Sequence, residues 1–135
     1  PLMDSREEDL SNILNNLQPE LLIEDYVFIT SDDDSDSQNK LDPIATFKEK
    51  EGVTLVITQE RAQGNNLQYN SVFSCISLGV HSSLTSVGLI AAISKSLSDN
   101  GIACNVFSGY FHDHIFVQKS LSTQALELIN NIKTK

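Results

Sequence analysis

Between residues 72 and 132 the apolar residues alternate between strand and helix spacing in one fixed order, and this order limits the folds open to the chain more than any other feature. Val72, Ser74, Ile76, Leu78 and Val80 recur at every second position, which places them on one face of a strand. Residues 84–98, rich in Ile, Leu and Ala, follow at helical spacing, and Asn100-Gly101 supplies the stop. Strand-like runs over 102–107 and 115–117 flank a turn over 110–114. Ala125, Leu128, Ile129 and Ile132 form the stripe of a closing helix, with Ser122 as its N-cap. The order is βαββα, most of a ferredoxin-like βαββαβ unit.

The first half repeats that inventory in weaker form. Ser5-Arg6-Glu7-Glu8 has the spacing of a capping box, and Leu10, Ile13, Leu14 and Leu17 give the following helix one apolar face that ends before Pro19. Residues 26–30 are β-rich and lead into the polar run 31–37, read as an exposed acidic loop because charge repulsion and the lack of apolar residues oppose packing. Runs over 44–49 and 53–58 read as a hairpin around Lys50-Glu51-Gly52, and a short helix over 59–63 stops at Gly64. The expected fold class is therefore α+β. It comprises two ferredoxin-like repeats with antiparallel sheets backed by helices, a degenerate one over 1–70 and a fuller one over 71–135. Neither half is complete alone, so each is expected to borrow a strand or helix from the other.

Charge narrows the partners. Residues 1–70 hold 15 acidic and 5 basic residues, while residues 71–135 hold 3 and 4, so the net charge of -9 resides in the first half. That sign disfavours nucleic acid and anionic membranes. No apolar run approaches the roughly 18 residues of a membrane span, and the N-terminus lacks the pattern of a signal peptide, so a cytoplasmic protein is expected. Cys75 and Cys104 each sit in a short apolar run and fit no disulfide framework.

Three segments could carry chemistry. In residues 78–88, LGVHSSLTSVG, a strand passes to a helix through hydroxyl residues, and helix N-termini receive carboxylates well. The hydroxyls are also ordinary caps, but Gly88 inside a helix would cost about 1 kcal/mol against Ala, which marks a close approach by a backbone or a ligand. His112-Asp113-His114, with His81 as the nearest third ligand, has metal-ligand residue types, against which stands a simple turn with Asp113 bonding local backbone. Asp32, Asp34 and Asp36 alternate like calcium ligands, yet Ser37 and Pro43 occupy the places of the required Gly and Glu. Nucleophile-elbow, P-loop and dinucleotide-binding motifs are absent from the sequence. The reading is a protein that is not an enzyme and needs no metal or cofactor.

The string LGVHSSLTSVGLIAAISKSLSDNGIACNVFSGYFHDHIFV, with DPIATFKEKEGVTLVIT upstream, resembles small standalone bacterial ACT-domain proteins over nearly the whole chain. Residues 97–105, L-x-x-x-G-I-x-x-N, fit the general signature; His81-Ser82-Ser83 stands where the usual loop carries Asp or Pro before its Gly. The resemblance implies a tandem of two ACT repeats forming a regulatory module that binds a small molecule, most often an amino acid, at an interface near the first strand-helix loop. The implied ligand-binding residues are His81, Ser82, Ser83, Leu84, Val87 and Gly88, with Asn105 as a further polar contact. With no catalytic domain in this sequence, the module would act in trans. Alternative readings are a ligand-free interaction module acting on a metabolic enzyme or transporter, and a metal-dependent enzyme using the His112-Asp113-His114 turn. Unpaired edge strands in the near-neutral second half suggest a homodimer or higher homo-oligomer.

Overall fold

The computed structural model describes residues 9–32 and 35–132. The Ser5 to Glu8 capping box, Asp33 and Asp34 lie outside them. The elements run α1 (Leu10–Asn15), β1 (Glu20–Ser31), α2 (Ser35–Leu41), β2 (Ala45–Lys48), β3 (Val53–Thr58), α3 (Gln59–Gly64), β4 (Phe73–Ser77), α4 (Leu89–Asp99), β5 (Asn105–Ser108), β6 (Asp113–Gln118) and α5 (Ser122–Ile132). None of these helices is long and apolar enough to cross a membrane.

The chain divides into two compact units. Residues Ile23–Ser74 form one. Its strands lie in the order β2-β3-β1, antiparallel, with Tyr26 opposite Thr58 and Ala45 opposite Val56. The turn to β3 and the short helix after it follow the sequence reading, and the Thr58 hydroxyl caps α3 by accepting from the Arg61 N–H at 3.2 Å. The alternating residues Val53, Leu55 and Ile57 join Val27, Leu41 and Ala62 in one buried cluster.

The last residues of the acidic run are not a loop. Ser35–Leu41 is helical, the crossover helix of the first repeat. Leu41 is buried in the cluster and anchors it, and Asp36 in the first turn with Lys40 in the last suits the helix dipole.

The other unit takes Cys75 onward together with the chain before Ile23. Its strands lie in the order β4-β6-β5, with Asn105 opposite Phe116 and Ser108 opposite Asp113. Each unit thus shows the first, third and second strands of a ferredoxin-like repeat in that spatial order. Ile76, Leu78, Ile93, Leu97, Ile115, Ala125 and Ile129 are fully buried in its core. Ile13 and Leu17 are buried in that same core, so the helix that the sequence places in the first repeat packs with the second. Asp9, whose carboxylate accepts from the Asn12 N–H at 3.2 Å, is its N-cap.

Four boundaries in this unit differ from the sequence reading. Helix α4 begins at Leu89 rather than 84, because Gly88 stands at φ 109°, which no helix tolerates. β5 begins at Asn105 rather than 102; Ile102 is buried, but as part of the connection. The β5–β6 turn closes with the Gly109 N–H donating to the His112 carbonyl at 2.9 Å, so Asp113 and His114 already belong to β6. Ser122 is the first residue of α5, preceded by a 3-10 turn over Lys119–Leu121, and not a separate cap.

Because Ile13 is fully buried, Ile13→Ala should destabilise the protein by about 2–5 kcal/mol in urea unfolding. A cost near zero would show that α1 is not part of this core.

Candidate functional site

The site is built around the late start of α4. Residues 78–88 form an irregular loop in which Ser83 organises the backbone: its hydroxyl accepts from the Thr85 N–H at 3.2 Å and pairs with the Thr85 hydroxyl at 2.9 Å. The Ser83 carbonyl accepts from the Ser86 N–H at 3.0 Å and the Ser86 hydroxyl at 2.8 Å. These serines therefore shape the loop and do not cap α4. The N-cap is Gly88, which has no side chain to offer. The first bond of the helix is Ala92 N–H to the Gly88 carbonyl at 2.9 Å, so the N–H groups of Leu89, Ile90 and Ala91 have no acceptor within the helix.

Those three residues line a cavity of about 180 Å³ together with Ser82, Ser83, Leu84, Ser86, Gly88, Ser108 and Asp113. Ser82, Ser83 and Asp113 are buried, and the Ser82 hydroxyl donates to Asp113 Oδ2 at 3.3 Å. Among the described residues Asp113 has no ion-pair partner. Removing a carboxylate from water is costly unless it is paired or well hydrogen-bonded. The cavity thus offers a buried acid beside a helix N-terminus, which carries partial positive charge.

Of the residues expected at the site, Ser82, Ser83, Leu84 and Gly88 meet at this cavity. His81, Val87 and Asn105 are not among its lining residues. His81 is exposed and stacks edge-on against His112, with ring centroids 4.5 Å apart, and lies 6.0 Å from Phe111. Val87 is 83% exposed. Asn105 sits at the start of β5, donating to the Phe116 carbonyl at 3.4 Å. Asp113, read from the sequence as a turn or metal residue, is the group that reading missed. Counting back by two from Val117 and Ile115 places 113 on the same buried face, a signal the strand alternation already contains.

The turn reading of His112-Asp113-His114 is corrected as well. Asp113 bonds Ser82 rather than local backbone. Among the described residues no set of three His, Cys, Asp or Glu side chains could hold a metal ion. His114 Nδ1 lies 3.0 Å from the Ser77 hydroxyl. Its pKa falls below the usual 6.5 because burial disfavours the imidazolium and His112 repels it, with Asp113 opposing. Burial pushes the Cys75 thiol up to about 12 and raises that of Cys104, so neither is a ready nucleophile.

The nearest neighbour of Gly88 is a side chain, Leu10, whose Cδ2 stands 2.8 Å from where a Cβ would be. What approaches it is therefore helix α1, through a side chain, and not a second backbone.

The unit is ferredoxin-like with a polar cavity at the start of α4, and the comparisons identify the family. Two ACT-domain family models match in tandem, one over residues 5–74 and one over 70–131. The chain belongs to the ACT-domain family, whose members are regulatory ligand-binding modules. A solved structure of a Vibrio cholerae protein of unknown function, described as a possible transport protein, is 45% identical, with coverage of 92% of this chain and 95% of that one and a TM-score of 0.84. A solved Agrobacterium tumefaciens protein is 16% identical, with coverage of 87% and 89% and a TM-score of 0.62. The ligand-free regulatory subunit of aspartate kinase from Thermus thermophilus is 9% identical, with coverage of 84% and 95% and a TM-score of 0.59. The last two share the fold. No curated protein matches the chain.

Two outcomes follow from this geometry. Gly88→Ala places a Cβ at a positive φ and against Leu10, so despite the helix propensity of Ala it should destabilise the protein by about 1–3 kcal/mol in thermal unfolding. His114 binds its proton less readily folded than unfolded, so the stability gained by keeping it neutral is complete above its unfolded pKa of 6.5 and is lost as pH falls from there through the lower folded value. Between about pH 7.5 and about pH 5 the melting temperature should therefore drop, and the drop should be smaller in His114→Gln.

Proposed function

We propose that the protein is a regulatory module without catalytic activity of its own that binds a free amino acid in the cavity at the start of α4. The observation that carries this reading is the pairing of opposite electrostatics in one small space. The N–H groups at the start of α4 suit a carboxylate, and buried Asp113, which accepts from the Ser82 hydroxyl, suits an ammonium group. A zwitterion satisfies both at once. Leu84, Leu89 and Ile90 supply apolar wall for a side chain. His81 and Val87, just outside the cavity, and Asn105, on the outer strand β5, would serve the site from a second copy or from a ligand that extends beyond the cavity.

We further propose that the working form is a homodimer or higher homo-oligomer in the cytoplasm, acting in trans on an enzyme or transporter. Leu84, Val87, Tyr110 and Phe111 are exposed large apolar side chains, and the rings of Tyr110 and Phe111 pack edge-on, which supports association. The two cysteines, both without disulfide partners, suit a reducing compartment. We also propose residue 70 as the boundary between the two sequence repeats.

A thermal-shift screen against the common amino acids tests the reading. The true ligand at about 100 times its Kd should add roughly 2.7 kcal/mol of stability. Asp113→Asn should weaken that ligand by more than about tenfold, or 1.4 kcal/mol, by removing the charge that faces its ammonium. A flat response across the panel would leave the ligand-free interaction module as the better account.

A further inference from the structure

Both ends of the loop that builds the cavity are held by the segment that carries α1. At its start, the Gly79 N–H donates to the Gln18 carbonyl at 3.1 Å. That carbonyl oxygen lies 2.6 Å from where a Cβ on residue 79 would sit, an approach only glycine allows. At its end, Leu10 covers Gly88, the N-cap of α4 and part of the cavity wall. Between these two contacts Ile13 and Leu17 fix the segment in the core. Neither Leu10 nor Gln18 lines the cavity itself.

Helix α1 has only six residues. Isolated helices shorter than about 12–15 residues are marginal in water, so α1 holds its shape only while docked. A short helix that is helical only when packed, and that grips both ends of a binding loop, can report on that loop or control it.

We propose that the α1 segment is a strap that positions the ligand loop: docked, it fixes residues 79–88 and the start of α4, and released, it lets the cavity lose its shape. Leu10 and Gln18 are positioning residues. By linkage, occupancy of the cavity and docking of the strap stabilise each other by the same factor, so any partner or modification that displaces α1 would lower ligand affinity. That consequence rests on reading the cavity as a ligand site; the mechanical role of the strap does not.

Native-state hydrogen exchange on the full chain, without ligand, tests it. In Leu10→Ala the amides of Thr85, Ser86 and Ala92 should exchange at least roughly tenfold faster, because they open locally when the loop end is no longer covered. Leu128→Ala is the control: Leu128 packs against the same core from α5 and adjoins Ala92 but not the loop, so its truncation should leave the Thr85 and Ser86 amides within about twofold while lowering global stability. Leu10→Val should reproduce the Leu10→Ala pattern at smaller amplitude and serves if the larger truncation does not fold. Unchanged loop amides in the Leu10 variants, or the same profile in Leu10→Ala and Leu128→Ala, would overturn the strap and reduce α1 to core packing. Because no ligand is present, that outcome is separate from a null in the amino-acid screen.

Discussion

The site depends on the left-handed backbone at Gly88. Had residue 88 taken a helical conformation, the apolar periodicity of 84–98 would have made one helix starting near residue 84. Instead the chain turns at Gly88, the preceding residues fold around Ser83, and the helix begins with a cap that offers no side-chain oxygen. A Ser or Asp at that position would satisfy one of the helix's first N–H groups, so glycine leaves them without a side-chain cap at residues that line the cavity. The same glycine leaves room for Leu10, so a single backbone conformation both opens the helix N-terminus and admits the α1 contact.

The hydrophobic core explains why the site is also acidic. β6 is buried on one face by Ile115 and Val117, and the strand period puts Asp113 in line with them. An apolar residue there would have been the cheaper choice for stability, because a carboxylate at this depth loses hydration. The Ser82 hydroxyl offsets part of that loss. A position that costs stability and borders a cavity fits the general pattern in which functional groups depart from the local rule and the surrounding fold compensates.

The second half of the chain was legible because its periods are clean: β4, α4, β6 and α5 all carry apolar residues at the expected spacing. The boundaries failed where one residue overrides a pattern. Gly88 cut the predicted helix short through φ, and Leu41, buried just beyond the acidic run, anchors a helix that begins within it. Composition alone conveys neither effect. The packing of α1 with the second unit was not readable from Leu10, Ile13, Leu14 and Leu17, since an apolar stripe specifies that a face is buried and not against what. At the site, the loop was found through its hydroxyls and glycine, while Asp113 was missed because Asp between two histidines near a glycine reads first as turn chemistry.

The central claim is that the first turn of α4 receives the carboxylate of a free amino acid while Asp113 receives its ammonium. An NMR titration of uniformly labelled protein with the amino acids, following backbone amides residue by residue, tests this most directly. The account predicts saturable shifts for one amino acid or a small chemical group of them, largest at the amides of Leu89, Ile90 and Ala91 and at Ser82 and Asp113. Saturable shifts confined to the 23–74 unit, with the amides of α4 unmoved, would contradict it.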